Sequence, residues 1–198
     1  MPRPGLPKLI ATDLDGTLVR GDDTVSEFTH QTLDRVRAAG IPVVGATGRG
    51  PRLTELTRND IRAADFLVLA GGGRVVDQSD PGGPVVLRDE RLSGSVLAEM
   101  LTALEAELGP LTMMVEALDG HDAPLWGDFD PIWPYPDLFE ARTRSECVGA
   151  DVIKAFIRTA DHDVDALLAA AHELGLRLPR DLSVCGFDDA PIARAASI

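Results

Sequence analysis

Asp13 and Asp15 stand two residues apart, directly after the apolar run Leu9-Ile10-Ala11, in the string Asp13-Leu14-Asp15-Gly16-Thr17. In extended backbone, side chains at i and i+2 share a face. Both carboxylates can therefore project from the carboxyl end of a first strand, the end at which open α/β sheets bind ligands. Two acids so placed can carry phosphoryl transfer: one attacks phosphorus to form an aspartyl-phosphate, and its neighbour protonates the leaving oxygen and later activates water. The pair also suits Mg²⁺, whose charge offsets the repulsion between an anionic nucleophile and an anionic phosphate. Gly16 allows the chain to turn away and is expected to present its amide to the transferring oxygens. Thr47, after the apolar run Ile41 to Ala46, offers a hydroxyl to the same oxygens, and Gly48 an amide.

These residues need a scaffold that brings two strand ends together. Leu9 to Ala11 reads as a buried strand. A helix follows, with Thr24 and Glu27 at capping-box spacing, Phe28, Thr32 and Val36 recurring at i+4, and Gly40 where a C′ glycine belongs. Ile41 to Ala46 is a second strand. Pro51 suits a helix N1 position, and Leu53, Leu56, Asp60/Ile61 and Ala64 set an apolar stripe on that helix. Phe66 to Ala70 is a third strand, and Gly71-Gly72-Gly73 reads as a flexible hinge, since no phosphate-cradle pattern follows it. Strand, helix, strand, helix, strand at this spacing predicts a doubly wound α/β core with a parallel sheet.

Gln78 to Pro84, rich in turn formers, is the first boundary. Beyond it Val96/Leu97, Met100/Leu101, Leu104 and Leu108 mark a helix closed by Gly109-Pro110, Leu111 to Ala117 a strand, Asp151 to Arg158 another strand, and Asp161 to Leu174 a last helix. Asp119 to Glu146 reads as a long irregular stretch holding five of the nine aromatic residues, Trp126, Phe129, Trp133, Tyr135 and Phe139, which suit a lid core better than a stacking platform. The expected organisation is a core over residues 1–80, an inserted α+β cap over 81–177, and a strand segment over 178–198 that docks on the core.

Asp13 to Val19 (DLDGTLV) and Val43 to Arg49 (VVGATGR) resemble the first and second motifs of the haloacid dehalogenase (HAD) superfamily, in particular its Cof-type phosphatases with a large inserted cap. The resemblance covers roughly residues 7–175. It implies a Rossmann-like core, Asp13 as nucleophile and metal ligand, and Asp15 as general acid/base that ligates metal through its backbone carbonyl. It also implies Gly16, Thr17, Thr47, Gly48 and Arg49 as the phosphoryl and substrate contacts, Mg²⁺ as cofactor, and a small phosphorylated metabolite as substrate.

The pattern is incomplete. Relatives bring a lysine and a Gly-Asp-x-x-Asn-Asp segment after the cap, and neither is present in this sequence. The two lysines are Lys8 and Lys154, the second within an expected cap strand. The core is thus expected to end before its own active site is finished. Gly175 to Ser197 (GLRLPRDLSVCGFDDAPIARAAS) instead resembles a segment of the effector-binding domain of LacI/GalR-type repressors, where an aspartate contacts the small-molecule effector. Leu182 to Phe187 is an apolar strand ending in Asp188 and Asp189, and Asp188 is a candidate third metal ligand beside Asp13. The competing readings are a non-catalytic sugar or phosphosugar binder and a fragment of a LacI-type regulator.

Composition narrows the partners. Nineteen basic against thirty-two acidic residues leave a charge of −13, which repels nucleic-acid phosphates and anionic membrane surfaces. No basic patch offsets it, and no apolar run approaches the roughly 20 residues of a membrane span. Met1 to Ile10 has no signal-peptide character, so the expected location is cytoplasmic. Cys147 and Cys185 have no metal-ligand spacing and read as small buried apolar residues. His30, His121, His162 and His172 are scattered and support no histidine metal site.

Overall fold

The computed structural model describes residues 5, 7–128, 138–159, 164–173 and 175. The chain divides into two compact units, one ending at Glu90 and the other beginning at Arg91.

In the first unit β1 (Ile10–Asp13), α1 (Glu27–Ala38), β2 (Val43–Ala46), α2 (Thr54–Asp60), β3 (Phe66–Leu69), β4 (Arg74–Asp77) and β5 (Val85–Asp89) follow in chain order. The five strands form one sheet in the order β1-β2-β3-β4-β5. The first two pairings are parallel and the last two antiparallel, which makes the expected parallel sheet a mixed one. Among the described residues the strand order runs in one direction, with β1 outermost and no reversal of the doubly wound kind. Leu14, Val43, Ile61, Leu67 and Leu69 are wholly buried, each stabilising by about 1.5–3 kcal/mol relative to exposure.

Local signals were shifted rather than absent. The N-cap of α1 is Ser26, whose Oγ accepts the Thr29 amide at 3.1 Å, while the Thr24 hydroxyl donates to Asp22 at 2.6 Å. Phe28, expected on the apolar face, is 74% exposed, and Leu33 is buried in the core. Pro51 opens a 3₁₀ turn over Pro51–Leu53 rather than α2 itself. Of the stripe expected on α2, Ile61 and Ala64 are buried, while Thr57 takes an inward position and Leu56 is 46% exposed. In the triglycine segment Ala70–Gly72 form a 3₁₀ turn that folds β4 back against β3, with Gly71 at φ 63°. The stretch expected as a domain boundary, Gln78 to Pro84, is the loop of the β4–β5 hairpin, so the compact unit continues to Glu90 instead of residue 80.

The second unit holds α3 (Gly94–Leu108), β6 (Leu111–Glu116), β7 (Leu125–Gly127), β8 (Phe139–Ala141), α4 (Arg144–Cys147), β9 (Lys154–Thr159) and α5 (Val164–Glu173). Its sheet has the order β8-β7-β6-β9. Leu97, Leu101 and Leu104 of α3 pack with Leu111, Met113, Val115 and Val152 in one core. The stretch read as irregular supplies β7, β8 and α4. They escaped because they are only three or four residues long. At the end of β7, Gly127 has φ 144°, and a Cβ there would stand 2.2 Å from the Met113 carbonyl oxygen, so only glycine lets the strands close. Cys147 is buried as expected. Phe129, Trp133, Tyr135, His162 and the segment 176–198, with Cys185, Asp188 and Asp189, lie outside the described residues.

Candidate active site

Asp13 is the last residue of β1, in parallel register with Ala46 at the end of β2, so Thr47 follows at the same edge. The chain then turns on Leu14. Its side chain is fully buried, and its carbonyl accepts the amides of Thr17, Leu18 and Val19 at 3.1, 2.9 and 2.8 Å. Gly16 makes the turn with φ 77°, a conformation that L side chains rarely adopt. Its amide donates to the Val19 carbonyl at 3.1 Å. The expectation that this N–H is offered to phosphoryl oxygens is therefore corrected, because the turn itself uses it. The Thr17 hydroxyl donates to Asp13 Oδ2 at 3.2 Å, which makes Thr17 a partner of the expected nucleophile. Asp13 is exposed.

Thr47 is 5% exposed, and its hydroxyl works in both directions. It donates to Asp15 Oδ2 at 3.1 Å and accepts the Arg49 amide at 3.1 Å. Two further bonds hold this loop: the Ala70 amide donates to the Arg49 carbonyl at 2.8 Å and the Gly71 amide to the Thr47 carbonyl at 3.2 Å. The turn after β3 thus fixes the loop after β2.

Arg49 provides the main electrostatic link. Its Nε lies 3.0 Å from both Asp15 carboxylate oxygens, its Nη2 2.5 Å from Asp15 Oδ1, and its Nη1 2.5 Å from Asp60 Oδ2. The Arg49 and Asp60 side chains are only 10% and 14% exposed. Burial pulls the Arg49 pKa down, but the hydrogen bonds to Asp15 and Asp60 outweigh it and the net shift is upward. The guanidinium is charged throughout. Both Asp15 oxygens are thereby engaged, by Arg49 and Thr47, while Asp13 is held by Thr17.

Asp13, Asp15, Thr17, Thr47 and Arg49 thus gather at one end of the sheet, linked by hydrogen bonds. Gly48 sits between two of them. Asp60 was missed as a site residue because its i+4 spacing placed it in the apolar stripe of α2, and nothing in its spacing from Arg49 marks a contact. Among the described residues no group of three or more acids, histidines and cysteines forms a metal cluster. Lys154 lies in β9 of the second unit, 4.3 Å from the Phe156 ring.

The mixed α/β fold, with acids at the end of its first strand and a threonine at the end of its second, defines a class that comparison identifies. The model of the haloacid dehalogenase-like hydrolases matches residues 10–119, more than half of the chain, and the chain belongs to that family. It is 46% identical over 166 residues to the 5-amino-6-(5-phospho-D-ribitylamino)uracil phosphatase YitU of Bacillus subtilis, a match over 81% of this chain and 59% of the relative. The chain thus spans about three fifths of that curated relative. The fold is shared with the HAD subclass IIB sugar phosphatase BT4131 (TM-score 0.63, 15% identity, 86% of this chain and 64% of the other). A haloacid dehalogenase-like hydrolase from Bacteroides thetaiotaomicron also shares it (TM-score 0.60, 21% identity, 90% and 67%). A periplasmic binding protein-like domain model matches residues 128–198, the part of the chain that contains the LacI-like segment.

Proposed function

We propose that this protein is a Mg²⁺-dependent phosphatase that hydrolyses a small phosphorylated metabolite through an aspartyl-phosphate on Asp13. The single observation that carries this reading is the linked set of Asp13, Asp15 and Thr47 at adjacent ends of parallel strands. An Asp13 oxygen attacks phosphorus while the bond to the leaving oxygen breaks, and Asp15, protonated on one oxygen with the other kept on Arg49, gives the leaving oxygen that proton. Asp15 then takes a proton from water as the water attacks the acyl-phosphate, which releases phosphate and restores the Asp13 carboxylate.

The donor set fits Mg²⁺ in part. The Asp13 carboxylate and the Asp15 main-chain carbonyl would hold it, and Mg²⁺ commonly keeps several waters beside one or two protein oxygens. Bound there, it would neutralise charge on the phosphate. The Asp15 side chain is committed to Arg49 and Thr47, which leaves the main-chain oxygen as its ligand. Asp188 as a further ligand is part of the proposal and lies outside the described residues.

The phosphomonoester named for the Bacillus relative is the first substrate to assay. Turnover with Mg²⁺ that Asp13→Asn abolishes supports the reading, and absence of turnover on a panel of small phosphomonoesters contradicts it. No described helix is long and apolar enough to cross a membrane, and the acidic charge fits a cytoplasmic protein without a nucleic-acid partner. The match over residues 128–198 favours a second reading, a sugar-binding segment. Calorimetry with free sugars tests it: binding that needs Asp188 and not Asp13 would favour that reading.

A further inference from the structure

We propose that Asp60 is a positioning residue which, through Arg49, sets the orientation of the Asp15 carboxylate. The inference rests on the phosphatase reading for its purpose, though not for its geometry. A guanidinium is a rigid planar fork. Held at one end, it fixes the direction of the donors at the other. Asp60 holds Nη1 at 2.5 Å, and the opposite edge, Nε and Nη2, meets both oxygens of Asp15. Thr47 adds a donor to Oδ2 from the next strand end.

The anchor is better buried than the residue it orients. Asp60 and Arg49 are 14% and 10% exposed, whereas the Asp15 side chain is 38% exposed at the open end of the sheet. Asp60 closes α2, whose last turn is fixed by the Ile61 amide on the Thr57 carbonyl at 3.0 Å and by the fully buried Ile61 side chain. A packed helix end therefore supports an acid that sits on a turn. An acid/base catalyst must keep one oxygen aligned with the leaving group, and loose placement of this kind is a common source of lost rate.

The experiment uses the full chain, with ¹⁵N and ¹³C labels, and follows the Arg49 Nε–Hε and Asp15 Cγ signals in Asp60→Ala, Asp60→Asn and Asp60→Glu. The expected result is Hε exchange in Asp60→Ala and Asp60→Asn faster by about tenfold or more, the loss of one charge-assisted hydrogen bond. Asp15 Cγ shifts with it, and Asp60→Glu restores both. Signals unchanged in Asp60→Ala and Asp60→Asn overturn the proposal. Kinetics separate positioning from mere support. Asp60→Ala should lower kcat on an alkyl phosphate about tenfold at constant KM, with less effect on 4-nitrophenyl phosphate, whose leaving group needs little protonation. Equal losses on both esters overturn the positioning role. If the wild-type chain turns over neither ester, the phosphatase reading fails, and the two NMR signals alone decide whether Asp60 orients Asp15.

Discussion

Arg49 binds Asp15 through two nitrogens and both carboxylate oxygens, at 2.5 to 3.0 Å, across 34 residues of sequence. The loop after β2 and the turn after β1 are joined there by charge as well as by the Thr47 hydroxyl. The proposed mechanism needs an acid/base held still and an accessible nucleophile, and the two aspartates have different partners: Arg49 and Thr47 for Asp15, Thr17 for Asp13.

Arg49→Lys tests whether the fork geometry matters. A lysine ammonium is a point charge and cannot span Asp15 and Asp60 as two parallel donors. The expected outcome in urea unfolding is a loss of about 1–3 kcal/mol, the range for charged hydrogen bonds. A variant as stable as the parent would show that only the charge counts.

Ser26→Ala removes the side-chain cap of α1, and a loss of about 0.5–2 kcal/mol is expected. Thr24→Ala, two residues earlier, should cost less, because its hydroxyl bonds Asp22 in an exposed turn. Denaturant midpoints of the two variants check this order.

The first strand with its paired acids and the second strand with Thr47 are legible because an apolar run ending in Asp-x-Asp-Gly is followed, one helix later, by an apolar run ending in Thr-Gly; the second motif carries little by itself, and the order and separation of the two carry the reading. What failed were matters of phase and contact. Thr24/Glu27 had the spacing of a cap, yet Ser26 had the geometry. In the expected stripe of α2, Ile61 and Ala64 are buried while Leu56 is exposed, because Thr57 takes the inward position beside it. The β4–β5 hairpin was hidden by a turn-rich loop that also looks like a linker. Asp60 could not be found, since its role lies in a contact between a helix end and a distant loop. Gly16 was given the right turn but the wrong hydrogen bond, because the partner of its amide is set by Val19, three residues on.

Gly127→Ala should destabilise the second unit by about 1–3 kcal/mol or more, because its Cβ would stand 2.2 Å from the Met113 carbonyl oxygen in backbone at φ 144°. Thermal unfolding is the measurement. An unchanged midpoint would mean that β6 and β7 can separate without cost.

Cys147 should resist thiol reagents in the folded protein. Burial, with Asp128 and Glu146 nearby, pushes its thiol up, so less of the reactive thiolate forms at a given pH than in an ordinary cysteine. In a Cys185→Ser background, labelling should become rapid only in denaturant. Rapid labelling of the folded chain would contradict its buried position.

The central claim is a phosphoryl group carried by Asp13, and its most direct test is mass spectrometry of the chain after acid quench from Mg²⁺ and a phosphomonoester substrate. The expected result is one added phosphoryl group that maps to the Asp13 peptide, is lost under alkaline conditions, and is absent in Asp13→Asn. A chain that hydrolyses substrate while Asp13 stays unmodified, or that carries the group equally in Asp13→Asn, would contradict it.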